Sequence, residues 1–403
     1  MPPGLRHYLV VTSGYWAFTL TDGAIRMLVL LYFYLQGYSP LQVAMLFLFY
    51  EFFGVVTNLV GGWIGARIGL NRTMHIGMGL QVIALVMLAV PASWLSITYV
   101  MLVQALSGIA KDLNKMSAKA SIKSFLPQQA DSQLFKWVAI LTGSKNALKG
   151  GGFFVGAVLL EWFGFQSSLL VLATLLFLVL VLTFWLLPSE IGKSKQKPKF
   201  RQIFSTSVAI NRLSAARLFL FAARDVWFVV GLPLFLYSVL GWSFTQVGSF
   251  LALWVIGYGI VQTIAPGLLR HSHQGRGPDG HTALLWGAVL ILSPLLMALA
   301  LTHDLPANMV VIAGLTLFGI LFAINSAVHS YLVVAWSDED KAAMNVGFYY
   351  MANAAGRLTG TVLSGWVYQV HGLSGCLWWS TAFILIATLI SIRLPDNQRP
   401  LIS

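Results

Sequence analysis

Apolar runs of membrane-crossing length follow one another almost from end to end of this chain of 403 residues, with only short polar breaks between them. In hydrocarbon no water is present to hydrogen-bond a free N–H or C=O, so each run has to satisfy its main chain internally and reads as a helix. Charged residues are 9% of the total and hydrophobic residues 58%, which excludes an ordinary soluble domain. At roughly 30 to 35 residues for a span and its loop, about twelve helices fit. The expected fold class is an all-α membrane protein with both ends on the same side.

The runs predict spans over about 8–35, 41–64, 74–90, 97–125, 134–160 and 167–187, and again over about 208–240, 245–268, 282–301, 308–334, 342–370 and 373–394. Between the sixth and the seventh lies EIGKSKQKPKFR, Glu190 to Arg201, basic and broken by Pro198. It divides an N-terminal six-helix bundle, 1–188, from a C-terminal one, 203–403, with 189–202 as a cytoplasmic linker. GYSPLQV at Gly37 to Val43 is repeated as GWSFTQV at Gly241 to Val247, each closing the first helix of its half and opening the second. In that register Asp22 falls within one position of Asp225. Two pseudo-symmetric bundles follow, with a substrate site expected at mid-membrane depth.

Loops after the second, sixth and eighth spans carry two or more Lys or Arg each, and the loop after the fourth is flanked by Lys119, Lys123 and Lys136 at the span ends, while those after the odd-numbered spans carry none. The positive-inside rule then puts both termini and the linker in the cytoplasm, and it accounts for most of the net charge of +12 without nucleic acid. Cys376 is the single cysteine, so neither a disulfide framework nor a thiolate metal cage is expected. The N-terminus has no signal-peptide cleavage pattern. GKS at Gly192 to Ser194 lacks the upstream glycine of a phosphate-binding loop, so ATP hydrolysis, cofactors and metals are not expected. No nucleophile with a base stands near an interface, which argues against an enzyme. NRT at Asn71 to Thr73 fits a glycosylation acceptor but falls in a cytoplasmic loop.

The informative residues are the charges inside the spans. QALSGIAKDLNKMSAKASIK, Gln104 to Lys123, sets Lys111, Lys115, Lys119 and Lys123 at intervals of four on one helical face. From the helix rise, Asp22, Arg26, Lys111, Lys115, Lys145, Lys149, Arg224, Asp225 and Arg357 come out near the middle third of their spans. Lys119, Lys123 and Lys136 come out near the cytoplasmic ends, where snorkelling is cheap. Asn345, Tyr349, Asn353 and Arg357 share a face of the eleventh span. The deep acids are Asp22, Glu51, Asp112 and Asp225, against at least seven deep cations, so a one-to-one count leaves several cations without protein partners. An unpaired cation at the bilayer centre costs about 2.5 kcal/mol or more, so the surplus should line a wet cavity and meet a mobile anion. Arg26, Lys111, Lys115, Lys145, Lys149, Arg224, Asn353 and Arg357 are the expected substrate-binding residues. The mixture of forked guanidinium groups and compact ammonium groups implies an oxyanion bearing more than one anionic group.

Asp22, Glu51, Asp112 and Asp225 are candidates for proton coupling, with Asp22 and Glu51 favoured. An Asp22–Arg26 pair at i,i+4 is the local alternative for that helix. Asp225 adjoins Arg224 in sequence, and neighbours on a helix are not expected to face one another. His329 is read as a polar packing residue.

GGWIGARIGLNR carries Gly62, Arg67, Gly69 and Arg72 at the spacing of the loop between spans two and three of the major facilitator superfamily, with Ala66 where that loop usually has an acid. FYEFFGVVTNLVGGWIGARIGLNRTM, QALSGIAKDLNKMSAKASIK, VAILTGSKNALKGGGFF and SAARLFLFAARDVWFVV together resemble the organoarsenical efflux permeases of the ArsJ type within that superfamily, over essentially the whole chain. The resemblance implies secondary active export of 1-arseno-3-phosphoglycerate across a bacterial inner membrane and resistance to arsenate. It also implies a functional partner, a glyceraldehyde-3-phosphate dehydrogenase that makes this ester. An organophosphate:phosphate antiporter, or a carrier of another organic anion, is the alternative with the same electrostatics. A monomer working by alternating access, residues 1–188 rocking against 203–403, is the expected mechanism.

Overall fold

The computed structural model describes residues 3–125, 131–187, 207–272, 278–303, 305–336 and 342–396. The linker 189–202 lies outside them, and the side chains of Arg67, Lys119, Lys123, Lys136 and Asn345 are likewise outside what is described.

The described residues are helical with no strand: α1 (Pro3–Leu35), α2 (Pro40–Leu46), α3 (Leu48–Ile68), α4 (Leu70–Leu88), α5 (Ile97–Phe125), α6 (Asp131–Leu186), α7 (Val208–Phe228), α8 (Gly231–Ser238), α9 (Phe244–Ser272), α10 (Gly280–Thr302), α11 (Ala307–Ala335) and α12 (Ala342–Ser391). A 3-10 turn, Ala92–Trp94, follows α4. Among the described residues, eight helical stretches are long and apolar enough to cross a membrane. α5 is not one of them, because its lysine row raises its polarity.

Two of the eight, Gly143–Leu186 and Gly347–Ser391, run for 44 and 45 residues. At about 1.5 Å per residue each is roughly twice the ~30 Å hydrocarbon thickness. Each is interrupted by a glycine outside the helical region: Gly164 (φ 71, ψ −177) in α6 and Gly372 (φ 63, ψ −163) in α12. The glycines that open the repeated motifs, Gly37 and Gly241, also sit at positive φ, at 87° and 70°. These are conformations that a Cβ disfavours, so the repeat is conserved in backbone geometry as well as in letters. Two further interruptions were not expected from the sequence: the second span breaks at Phe47, between α2 and α3, and the seventh at Val229 and Val230, between α7 and α8.

Contacts divide the chain into two compact units. One comprises 1–38, 45–200 and 243–256; the other comprises 39–44, 201–242 and 257–403. In the first, α1 packs along α6, and α5 against α3, α4 and α1. The close approach of α1 and α6 rests on small residues. A Cβ at Gly152 would run into the main-chain carbonyl of Leu20, and one at Gly156 into that of Ala24. In the second unit α12 packs along α7, and α10 against α11 and α12. Its core includes Ile210, Leu213, Ala265, Val328, Leu332 and Tyr349.

Candidate functional site

Among the described residues, each unit carries a cluster of buried charge. In the first unit the cluster is assembled by α1, α3 and α5. Arg26 of α1 donates through Nη2 to Oε1 of Glu51 on α3 at 2.9 Å. Its guanidinium lies over the rings of Phe47 and Tyr50, at 5.2 and 5.4 Å from their centroids. The hydroxyl of Tyr50 donates to Oδ1 of Asp22 at 2.5 Å, and the ammonium of Lys111 sits 4.0 Å from the centre of the same ring. Tyr50 therefore touches two cations with its ring and a carboxylate with its hydroxyl. On α5, Asp112 receives Lys115 at 3.0 Å and Lys111 at 3.6 Å, and Lys115 also donates to Oδ1 of Asn58 at 2.7 Å.

Glycines on both helices let α5 bring this lysine–aspartate group up to α3: a Cβ at Gly108 would run into the main-chain carbonyl of Tyr50, and one at Gly54 would lie 3.1 Å from Oδ2 of Asp112 and 3.4 Å from Nζ of Lys111. Lys145 and Lys149 lie on the stretch of α6 beside α1 and are partly buried. A Cβ at Gly23 of α1 would come within 2.6 Å of the Lys149 carbonyl.

In the second unit the cluster is formed by α7 and α12. Asp225 takes Arg224 on Oδ1, with Nε at 2.6 Å and Nη2 at 2.5 Å. On Oδ2 it takes Nε of Arg357 at 3.3 Å. α12 comes close enough because Gly360 has no Cβ, which would otherwise lie 2.8 Å from that of Asp225. Asn353 lies one turn before Arg357, partly buried, and its Oδ1 has no hydrogen-bond partner. Arg224 also rests over Phe221 at 4.7 Å and more loosely over Phe228 and Phe322.

Three expectations are corrected by this geometry. The one-to-one charge count overstated the unpaired surplus: a carboxylate has two oxygens, and both Asp112 and Asp225 use them to hold two cations each. Arg26 is bonded to Glu51 of another helix, and Asp22 to Tyr50, so the two do not form the local i,i+4 pair. Arg224 and Asp225 do meet despite being neighbours, because the long arginine side chain folds back to a carboxylate aimed at α12. Tyr50 is a residue that reasoning from the sequence missed. Its signal was faint, a hydroxylated aromatic beside Glu51 in the second span.

The distribution of exposure gives both clusters a sign. The side chains of Glu51, Asp112 and Asp225 are each 1% exposed, whereas those of Lys111, Lys115, Arg224 and Arg357 keep 13 to 17%. The carboxylates are shut in behind and the cations stand in front of them. What such a cluster offers to anything approaching it is positive charge with the geometry already fixed by the acids.

The sequence matches the family described as Major Facilitator Superfamily over residues 11–327 and 213–400. No curated protein matches the chain. Among solved structures, a POT family transporter in complex with 5-aminolevulinic acid superposes with a TM-score of 0.78 at 14% identity, covering 98% of this chain and 97% of that one. A structure described as giving insight into substrate recognition in proton-dependent oligopeptide transporters superposes with a TM-score of 0.71 at 15% identity, covering 96% and 97%. At such identities the likeness is one of fold, and it runs the length of the chain. Helices of membrane-crossing length, a repeated motif with matching glycine geometry and a family match spanning nearly every residue agree: the chain belongs to the major facilitator superfamily of membrane transporters.

Proposed function

We propose that the chain is a secondary active exporter of a small organic anion bearing two charged groups, with the organoarsenical 1-arseno-3-phosphoglycerate as the substrate favoured by the sequence resemblance. The observation that carries this reading is the pair of guanidinium groups on one shut-in carboxylate, Arg224 and Arg357 on Asp225. Two positive charges against one negative leave a net charge that an incoming oxyanion can neutralise, and the arginines keep enough exposure to receive it. Arg26, Lys111 and Lys115 supply the corresponding cationic face in the other unit, with Lys145 and Lys149 beside them and Asn353 as a polar contact. Asp22, Glu51, Asp112 and Asp225 are the groups through which proton movement would be coupled.

The architecture that goes with this function is twelve spans in two six-helix halves, 1–188 and 203–403, joined by the linker 189–202. Both termini are cytoplasmic, and the halves rock against one another in a bacterial inner membrane. The partner is a dehydrogenase that supplies the ester. The test is export. Cells producing this chain together with glyceraldehyde-3-phosphate dehydrogenase should exclude arsenate, and Arg224→Gln or Lys111→Met should abolish the exclusion. Full resistance in both variants would refute the site.

A second reading is a carrier of a peptide-like or amino-acid-like zwitterion, as the names of the two solved neighbours suggest. Charge balance in the first cluster favours it, because Asp22, Glu51 and Asp112 match Arg26, Lys111 and Lys115 in number. Counterflow in proteoliposomes separates the two: phosphate and phosphoglycerates on one side, a dipeptide and 5-aminolevulinate on the other.

A further inference from the structure

Arg217 is more deeply buried than the two arginines at Asp225, and its surroundings differ in kind. The residue is 3% exposed. Among the described residues it makes no ion pair. Nη1 donates to the main-chain carbonyl of Ser326 at 3.2 Å, the guanidinium lies over the rings of Phe221 at 4.2 Å and Tyr349 at 5.2 Å, and Nε has no acceptor. A neutral carbonyl and two ring faces compensate a buried cation poorly, which leaves the site strongly favourable to an anion.

The position of Arg217 relative to Arg224 says which anion. Both lie on α7, seven residues apart and so separated by about 10 Å of helix rise. Phe221 projects between them and carries one guanidinium at 4.2 Å and the other at 4.7 Å. The two charged ends therefore converge on one ring, with their carbons no more than roughly 9 Å apart. That is a spacing that two oxyanion groups on a three-carbon skeleton can bridge.

Release of Arg217 from α11 is also inexpensive. The Ser326 carbonyl still accepts from the hydroxyl of Ser330 at 2.8 Å, and the Ser326 hydroxyl is held by Tyr258 at 3.3 Å and Gln262 at 3.4 Å. Moving the guanidinium off α11 leaves no orphaned acceptor behind.

We propose that Arg217 is the second anion-binding group of the α7 site: it takes the far charged group of a two-headed anion whose near group sits on Arg224 and Arg357, with Phe221 as the spacer. This rests on Arg224 and Arg357 being an anion site. It adds a specificity that they alone would not provide, selection for two anionic groups over one.

The full-length protein in lipid nanodiscs is titrated calorimetrically with inorganic phosphate and with 3-phosphoglycerate, for the wild type and for Arg217→Gln, Arg217→Lys and Arg224→Gln. The wild type should prefer 3-phosphoglycerate by about tenfold or more, the value of one added charge-assisted contact. Arg217→Gln should bring that preference to within about twofold while phosphate affinity stays within about twofold of wild type, and Arg224→Gln should weaken both ligands. A preference that survives Arg217→Gln, or an equal loss for both ligands, would make Arg217 a structural tie between α7 and α11 and overturn the inference alone. If the wild type binds neither ligand, the anion reading of Arg224 and Arg357 falls and the inference falls with it. Should Arg217→Gln not fold, Arg217→Met is read by the same criteria, a reduced preference supporting the two-point site and an unchanged one overturning it, while Arg217→Lys, which keeps the charge, should retain at least part of the preference.

Discussion

Asp225 is the single residue on which most depends, because it holds two arginines from different helices while being shut in itself. Replacing it by Asn removes the carboxylate that two adjacent guanidinium groups share. Breaking a buried pair costs about 3 to 5 kcal/mol, and since both arginines keep 17% exposure a loss of about 2 kcal/mol is the better expectation. If the site binds anions, phosphate should restore part of that loss. Asp225→Asn should then gain more thermal stability from added phosphate than the wild type does, as read by unfolding midpoints with and without the anion. Glu51→Gln should destabilise by a similar mechanism, because it orphans Arg26. At this scale the sequence was half legible. Depth along a span picked out Arg26, Lys111, Lys115, Arg224 and Arg357, since helix rise converts position into depth directly. It could not show that Asp112 and Asp225 would each serve two cations, nor that Tyr50 would join Asp22, Arg26 and Lys111, because those are contacts between helices whose rotation is not written in any one of them.

Among the elements, the seam between α1 and α6 makes a sharp internal contrast within the run Gly150 to Gly152. A Cβ at Gly152 meets the Leu20 carbonyl, and one at Gly150 would lie 2.7 Å from the Ala252 carbonyl, whereas one at Gly151 meets nothing within 4 Å. Gly152→Ala should therefore force the helices apart and cost about 1 to 3 kcal/mol, while Gly151→Ala should be neutral or slightly stabilising. Thermal unfolding of the two variants in one detergent checks this, and equal effects would contradict the packing. α7 and α12 repeat the pattern, with Gly356 against the Leu218 carbonyl and Gly347 facing open space. The glycine run could be read as a close-approach site from sequence, but which of its three residues faces a neighbour depends on the rotation of α6. The break at Phe47 was not legible because no glycine or proline stands beside it, whereas Gly231 and Pro233 directly after Val229 and Val230 were a stop signal that the reading of the seventh span as one run passed over.

For the molecule as a whole, membership of the major facilitator superfamily makes it a membrane transporter, and the glycines that open the repeated motif, Gly37 and Gly241, both stand at positive φ. Length and apolar patterning carried the fold this far because bilayer thickness limits what each run can do. Topology is open to a direct check: a fluorescent protein fused after Ser403 should fold and fluoresce if the C-terminus is cytoplasmic, and alkaline phosphatase at the same place should stay inactive. The central claim, transport of an anion with two charged groups on Arg224 and Arg357, is tested most directly by counterflow. Proteoliposomes holding the purified chain and loaded with unlabelled 3-phosphoglycerate should take up labelled 3-phosphoglycerate, and Arg224→Gln and Arg357→Gln should each lower the initial rate by about tenfold or more. Absence of anion exchange, together with uptake of a labelled dipeptide that both variants leave unchanged, would contradict it.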